Sequence, residues 1–181
     1  TLLDACRAKG IDTPTLCYLE TLTPVNACRV CVVELEGSRT LVPSCSRAAQ
    51  PGAVVRTDTP RVRHSRKLVL ELLASSVDLS LASQDVRRWM DGYEVNAEKF
   101  GPLAAAVSDR DSRNPGHHHA PDGTTAETVT QPVKIHDEMY IRDYSKCILC
   151  YKCVEACGED AQNTFAIAVA GRGFDARIST E

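Results

Sequence analysis

Residues 17–45 read CYLETLTPVNACRVCVVELEGSRTLVPSC, which places Cys17, Cys28, Cys31 and Cys45 in the spacing C-x10-C-x2-C-x13-C. A CxxC bend brings two sulfurs together from a short loop, and more distant cysteines close the shell from the other side. A [2Fe–2S] cluster needs four thiolates, two on each iron, and the plant-type pattern C-x4-C-x2-C…C has this same order of loop, CxxC and remote cysteine. Here the first spacer is longer. Four cysteines including a CxxC also satisfy a structural zinc ion, so a zinc-stapled interaction module without a redox role is the rival reading. Asn26, just before Cys28, tolerates a positive φ in a loop wrapped around such a site.

Outward from this stretch, secondary structure follows from local signals. Thr1 and Asp4 form a capping box ahead of Leu2, Leu3 and Cys6, and Lys9-Gly10 stops the helix. Cys6 lies on that helix's apolar face and is expected to be an inert buried thiol. Tyr18 to Asn26 reads as a loop. Arg29 to Leu35, Thr40 to Pro43 and Ala53 to Thr57 read as strands separated by turn residues. Val62 to Ser75 reads as a helix, with Leu68/Leu72 and Val69/Leu73 paired at i,i+4 and a solvated basic start at Arg61, Arg63, Arg66 and Lys67. Ser83 to Met90 and Ala97 to Phe100 are weaker helical stretches.

Residues 108–132 are rich in Ser, Asp, Gly, Pro, Thr and His and read as a flexible linker. His117-His118-His119 falls in it and reads as solvated loop. Glu138 to Arg142 reads as a strand, and Phe165–Val169 with Phe174–Ile178 as a hairpin.

The second cysteine group is Cys147-x2-Cys150-x2-Cys153-x3-Cys157, the bacterial ferredoxin run. In two-cluster ferredoxins the first three cysteines ligate one [4Fe–4S] cluster and the fourth ligates the other. Cys147, Cys150 and Cys153 are therefore expected at one [4Fe–4S] cluster. Cys157 is expected at a second one completed by residues outside this sequence. Gly158 stands where proline usually follows the fourth cysteine.

The nine cysteines fall in two groups, five within residues 6–45 and four within 147–157, with 101 cysteine-free residues between them. A secreted disulfide scaffold spreads its cysteines instead, so the reading is metal in a reducing, cytoplasmic compartment. With 21 basic and 24 acidic side chains and a net charge of −3, no global basic field points to nucleic acid. No apolar run approaches the roughly 20 residues of a membrane span. No GxSxG, HExxH or paired-carboxylate constellation assigns chemical catalysis to the chain.

Cys17-Tyr18, Asn26 to Glu34, Pro43-Ser44-Cys45, Pro51-Gly52 and Val55-Arg56-Thr57 together resemble one known domain. It is the N-terminal [2Fe–2S] domain of the large iron–sulfur subunit of NADH:quinone oxidoreductase, of NAD-linked formate dehydrogenase α subunits and of the small diaphorase subunit of NAD-reducing hydrogenases. Arg142 to Cys157 resembles their dicluster ferredoxin domain.

The resemblance implies an α+β chain. A partial β-grasp [2Fe–2S] domain would span residues 1–60, a helical spacer 61–107, the linker 108–132, and the first half of a dicluster ferredoxin-like domain 133–181. It implies an electron-transfer component rather than a catalytic subunit. The expected partners are a flavin- and NADH-binding subunit and a dehydrogenase or hydrogenase subunit, with any membrane association peripheral, on the inner face, through the complex. The family's domain carries a hairpin ahead of the Thr1 helix and a second four-cysteine run after Ile178. Neither is in this sequence, so a fragment is expected. Many relatives also hold a further [4Fe–4S] cluster on one histidine and three cysteines after the helix ending near Ser75. Residues 76–107 contain neither residue type, so that cluster is expected to be absent.

Overall fold

The structure is a computed structural model that describes residues 1–100, 117–119, 125–127, 133–135, 137–172 and 176–179. Helix α1 (Leu2–Ala8) starts as its sequence dictates. The Thr1 side chain accepts from the Asp4 amide and the Asp4 carboxylate answers at the Thr1 backbone. Its apolar face buries Leu2, Leu3 and Cys6, and its first amides bond back to Ser44 and Arg47 carbonyls, which ties the helix to the segment carrying Cys45. The expected strands are shorter than the sequence suggested: β1 (Val32–Leu35), β2 (Val42–Pro43) and β3 (Val55–Arg56) form one antiparallel sheet in the order β2-β1-β3. Arg29 lies outside the strand because it takes a positive φ of 58° and turns the chain out of the CxxC loop.

Helix α2 (Pro60–Ser76) has Thr59 as its cap and proline at its first position, where the missing N–H costs nothing. It packs across β1 and buries Val62, Arg66, Leu70, Glu71, Ala74 and Ser75. Arg66 is a correction to the reading of a solvated basic start: it is 2% exposed. The other basic residues of that start are not buried. A short 3-10 turn (Leu79–Leu81) leads to α3 (Gln84–Gly92), which the Ser83 side chain caps. Val86 of α3 joins Leu16, Val30 and Leu70 in the main apolar cluster. Ala97 to Phe100, expected to be helical, is a turn instead. It is held on α2 by Lys99, whose ammonium lies 2.7 Å from the buried Glu71 carboxylate.

Within the stretch expected as a linker, β4 (His117–His119) pairs antiparallel with β5 (Thr125–Glu127). The rest of residues 108–132 lies outside the described residues. Strand β6 (Lys134–Ile135) pairs with β7 (Ile141–Arg142), and β8 (Ala168–Ala170) pairs with β9 (Arg177–Ser179). The hairpin expected near Phe165–Ile178 is therefore present but starts later, because Asn163 and Phe165 take positive φ values that keep the preceding residues out of a strand. Helix α4 (Lys152–Cys157) begins right after Cys150 and Tyr151 and carries Cys153 and Cys157.

Two polar contacts tie the second cysteine region to the rest of the chain, one to the first cysteine region and one to the turn after α2. Asp160 accepts from the Thr23 amide and hydroxyl at 2.6 and 3.0 Å. Lys146, next to Cys147, donates to Asp78 at 2.5 Å and to Ser80 at 2.6 Å, and the Asp78 amide donates to the Ser145 carbonyl. Asp78 is 4% exposed. The Lys146 hydrogen bond holds its carboxyl well below the usual carboxylate range, against the opposing effect of burial.

A depressed folded pKa means stabilisation that is present above the unfolded value near 3.9 and lost as pH falls. Asp78→Asn is therefore expected to cost about 2 kcal/mol at neutral pH, the worth of a charge-assisted hydrogen bond. The deficit against the parent should shrink below about pH 4. Urea midpoints of the two proteins at both pH values check this.

Candidate iron–sulfur sites

The loop from Cys17 to Val30 is shaped by residues that sequence alone marks only in part. Asn26 has φ 61° and Arg29 φ 58°. Left-handed residues inside a loop turn successive amides to one side and form an anion-binding concavity. The Cys28 amide reaches the Cys17 sulfur at 3.5 Å. Across the loop, Ser44 donates its hydroxyl to the Cys31 carbonyl at 2.7 Å. That bond fixes the chain carrying Cys45 against the CxxC. The Asn26 side-chain oxygen accepts from the Ser46 hydroxyl at 2.7 Å and lies 3.4 Å from the Cys45 sulfur.

The four sulfurs fall into two pairs. Cys17 and Cys28 are 3.3 Å apart, and Cys31 and Cys45 are 3.4 Å apart. Each CxxC cysteine thus has a sulfur from outside the motif within 3.4 Å, a pairing that the spacing alone does not give. Among the described residues no three Cys, His, Asp or Glu side chains converge on one point. Two pairs suit two irons, whereas one zinc needs all four donors in a single shell.

Within each pair one thiol is drawn toward the thiolate. Cys17 is lowered to about 5, first by the hydrogen bond with Cys28 and further by the Ala27 and Cys28 amides, against burial. Cys31 is lowered to about 6, first by the bond with Cys45. Their partners Cys28 and Cys45 are pushed up for the reciprocal reason, with burial adding to it. The lowered member of each pair, Cys17 and Cys31, is the thiol readiest to bind as the thiolate that iron takes, and four sulfurs in two close pairs fit a [2Fe–2S] group. Cys6 is buried on α1 and takes no part in either pair.

At the second site, Leu149 (φ 51°) and Tyr151 (φ 62°) bend the run between its cysteines. Of the seven non-glycine residues with positive φ among those described, four lie within the two cysteine groups, Asn163 and Phe165 follow the second group, and Glu94 lies elsewhere. Strain of this kind concentrates where a loop must present its backbone to a ligand. Cys147, Cys150 and Cys153 sit close enough that their charges oppose one another. Burial and then the Cys150 charge push the Cys147 and Cys153 thiols up. Cys157 is buried at the end of α4, and its sulfur accepts the Ala166 amide at 3.1 Å.

The two regions meet at an apolar cavity of about 490 Å³, whose wall includes Cys28, Leu16 and Leu73 on one side and Cys147, Ile148 and Cys150 on the other. Sequence reading missed Ser44, the Thr23–Asp160 contact and the Asp78–Lys146 pair. None of these has a local signal, because their partners are distant in the chain. Arg66 did have one: it falls at i+4 from Val62 and i−4 from Leu70, on the buried stripe.

Residues 1–60 match the family described as 2Fe-2S iron-sulfur cluster binding domain, and residues 140–162 match the family described as 4Fe-4S binding domain. The cofactor classes are thus [2Fe–2S] and [4Fe–4S], and the zinc reading is set aside. The NADP-reducing hydrogenase subunit HndD of Solidesulfovibrio fructosivorans is 34% identical over 186 residues, covering 99% of this chain and 28% of that protein. An NADH-quinone oxidoreductase subunit of Rhizobium meliloti (strain 1021) is 29% identical over 180 residues, covering 99% of this chain and 19% of the relative. The mitochondrial NADH dehydrogenase [ubiquinone] iron-sulfur protein 1 of Solanum tuberosum is 28% identical, with 99% of this chain and 22% of the relative covered.

The chain therefore spans between 19% and 28% of these curated relatives. Among solved structures, the NAD+-reducing [NiFe]-hydrogenase in the H2-reduced state superposes with a TM-score of 0.67 at 25% identity, over 98% of this chain and 67% of that one. The resemblance expected from the two cysteine motifs is borne out by these relatives.

Proposed function

We propose that the chain is the electron-transfer iron–sulfur part of an NAD(H)-linked oxidoreductase complex, of the NADH:quinone oxidoreductase, hydrogenase diaphorase or formate dehydrogenase kind. In this reading it relays electrons between a flavin- and NADH-binding subunit and a catalytic dehydrogenase or hydrogenase subunit, on the cytoplasmic side of the membrane. Among the described residues no helix is long and apolar enough to cross a membrane, and any attachment to one runs through the complex.

Cys17 and Cys28 would hold one iron of the [2Fe–2S] group, and Cys31 and Cys45 the other. Cys147, Cys150 and Cys153 would hold a [4Fe–4S] group. Cys157, turned toward Ala166, is reserved for a second such group completed from outside these residues. When bound, these groups supply one-electron redox chemistry; the chain supplies thiolates, amides directed at sulfur and an apolar wall shared by the two sites.

Residues 1–60 are read as a partial β-grasp domain, 61–107 as the helical spacer, and 133–181 as the first half of a dicluster ferredoxin-like domain. The observation that carries the reading is the division of the sulfurs into two close pairs beside a cavity wall that Cys28 shares with Cys147 and Cys150. Capture of the tagged protein from its own cells, in its assembly, tests it. A flavin-bearing partner should accompany it, and NADH should bleach its visible iron–sulfur absorption. An iron-loaded assembly that NADH leaves unbleached overturns the relay.

The spacer has its own expected result. Residues 76–107 offer no cysteine or histidine, and Glu71, Lys99 and Asn96 pack that segment onto α2 instead. Loss of Cys150 should therefore remove every four-iron EPR signal that residues 1–181 support. A four-iron signal from this region surviving Cys150→Ser contradicts it.

A further inference from the structure

Arg66 is the one buried arginine of α2, and its surroundings do not balance its charge. It is 2% exposed. One guanidinium nitrogen donates to the Val32 carbonyl at 2.9 Å and another to the Tyr93 hydroxyl at 2.7 Å. Its Nε is buried with no partner. Among the described residues no carboxylate pairs with it; the buried carboxylate one turn on, Glu71, is taken by Lys99. The Tyr93 ring face, 5.8 Å from the guanidinium carbon, gives partial cation–π compensation, but burying a cation stays costly unless an opposite charge answers it, and a carbonyl, a phenol and a ring face carry none.

The backbone places Arg66 beside the segment that carries Cys31. Val32 follows Cys31 directly, and its carbonyl, in the Val32–Val33 peptide, takes the guanidinium one residue past a sulfur-bearing position. Leu70, one turn after Arg66, belongs with Val30 to the apolar cluster on which Cys28 packs, so this face of α2 lies against part of the CxxC loop. Tyr93, from the turn after α3, also has Arg63 over its ring, 5.3 Å from the centroid. It keeps Arg66 aimed at β1. Asp12 in turn anchors α3 through Trp89 and Arg88.

A [2Fe–2S] group on four thiolates is negative in both oxidation states and gains one further negative charge on reduction. We propose that Arg66 is the buried counter-charge of the [2Fe–2S] site and sets its potential upward, with Tyr93 as the residue that positions it. This rests on the reading of Cys17, Cys28, Cys31 and Cys45 as its ligands. A fixed cation in a poorly screened interior favours the more negative, reduced state.

An EPR-monitored redox titration of the iron-loaded full chain tests this. Arg66→Met and Arg66→Gln are expected to disfavour reduction of the two-iron centre about tenfold, a shift of ~59 mV to more negative potential for a one-electron couple. Arg66→Lys keeps the charge and should recover most of the shift. Tyr93→Phe keeps the charge but frees its aim, and should fall between parent and Arg66→Met. Midpoints equal to the parent in either neutral variant overturn the proposal, as does a Lys variant shifted as far as the Met variant. A parent chain that yields no two-iron signal overturns the ligand reading itself, and the proposal with it. Should the neutral variants fail to hold iron, the titration of Arg66→Lys and Tyr93→Phe decides: a Lys midpoint nearer the parent than the Phe midpoint supports the proposal, and the reverse order overturns it.

Discussion

Replacing Cys28 by serine should remove the [2Fe–2S] absorption and EPR signal outright, and Cys45→Ser should do the same. Cys17 lies 3.3 Å from Cys28 and Cys31 3.4 Å from Cys45, so losing one sulfur of a pair leaves its iron with a lone thiolate on the protein side. A serine hydroxyl is far harder to ionise than a thiol and is a poor donor for iron that prefers soft sulfur. The control is Cys6→Ser. Cys6 is buried in α1 away from the pairs, and the spectrum should be unchanged. The four-iron signal should persist in all three variants, because none of these residues belongs to the 147–157 run. Loss of the two-iron signal in Cys6→Ser, or its survival in Cys28→Ser, would reassign the site.

The second large effect is at Cys150. Cys150→Ser should abolish the [4Fe–4S] signal while leaving the [2Fe–2S] signal intact. Cys157→Ser should behave differently from Cys150→Ser. Cys157 sits buried at the far end of α4 with its sulfur on the Ala166 amide, whereas Cys153 opens the same helix and is exposed. The cluster held by Cys147, Cys150 and Cys153 should therefore survive the loss of Cys157. If Cys157→Ser removed it as completely as Cys150→Ser, all four cysteines would serve one cluster and the dicluster reading would fall.

Much of this was legible in the sequence because cysteine spacing encodes chemistry directly. C-x10-C-x2-C-x13-C and C-x2-C-x2-C-x3-C named both donor sets, and the capping box at Thr1 and Asp4 named the first helix. What the spacing did not encode was which sulfurs pair. Proximity along the chain favours Cys28 with Cys31, but the αL residues Asn26 and Arg29 twist the loop so that each faces a distant partner. Arg66 was misread for a related reason. A basic residue in a basic run looks solvated, and only its place between Val62 and Leu70 on the buried stripe argued otherwise. The Asp78–Lys146 and Thr23–Asp160 contacts were invisible, since each joins residues far apart with no periodic pattern to betray them. The short strands were over-read because four or five β-branched or apolar residues were counted whole, while positive-φ residues at their edges cut them down.

The most direct test is low-temperature EPR of the reduced, iron-loaded full chain together with metal analysis of the same sample. The account predicts a two-iron signal that disappears in Cys28→Ser and a separate, faster-relaxing four-iron signal that disappears in Cys150→Ser, with zinc absent from both sites. A colourless, EPR-silent protein carrying zinc on Cys17, Cys28, Cys31 and Cys45 would contradict it.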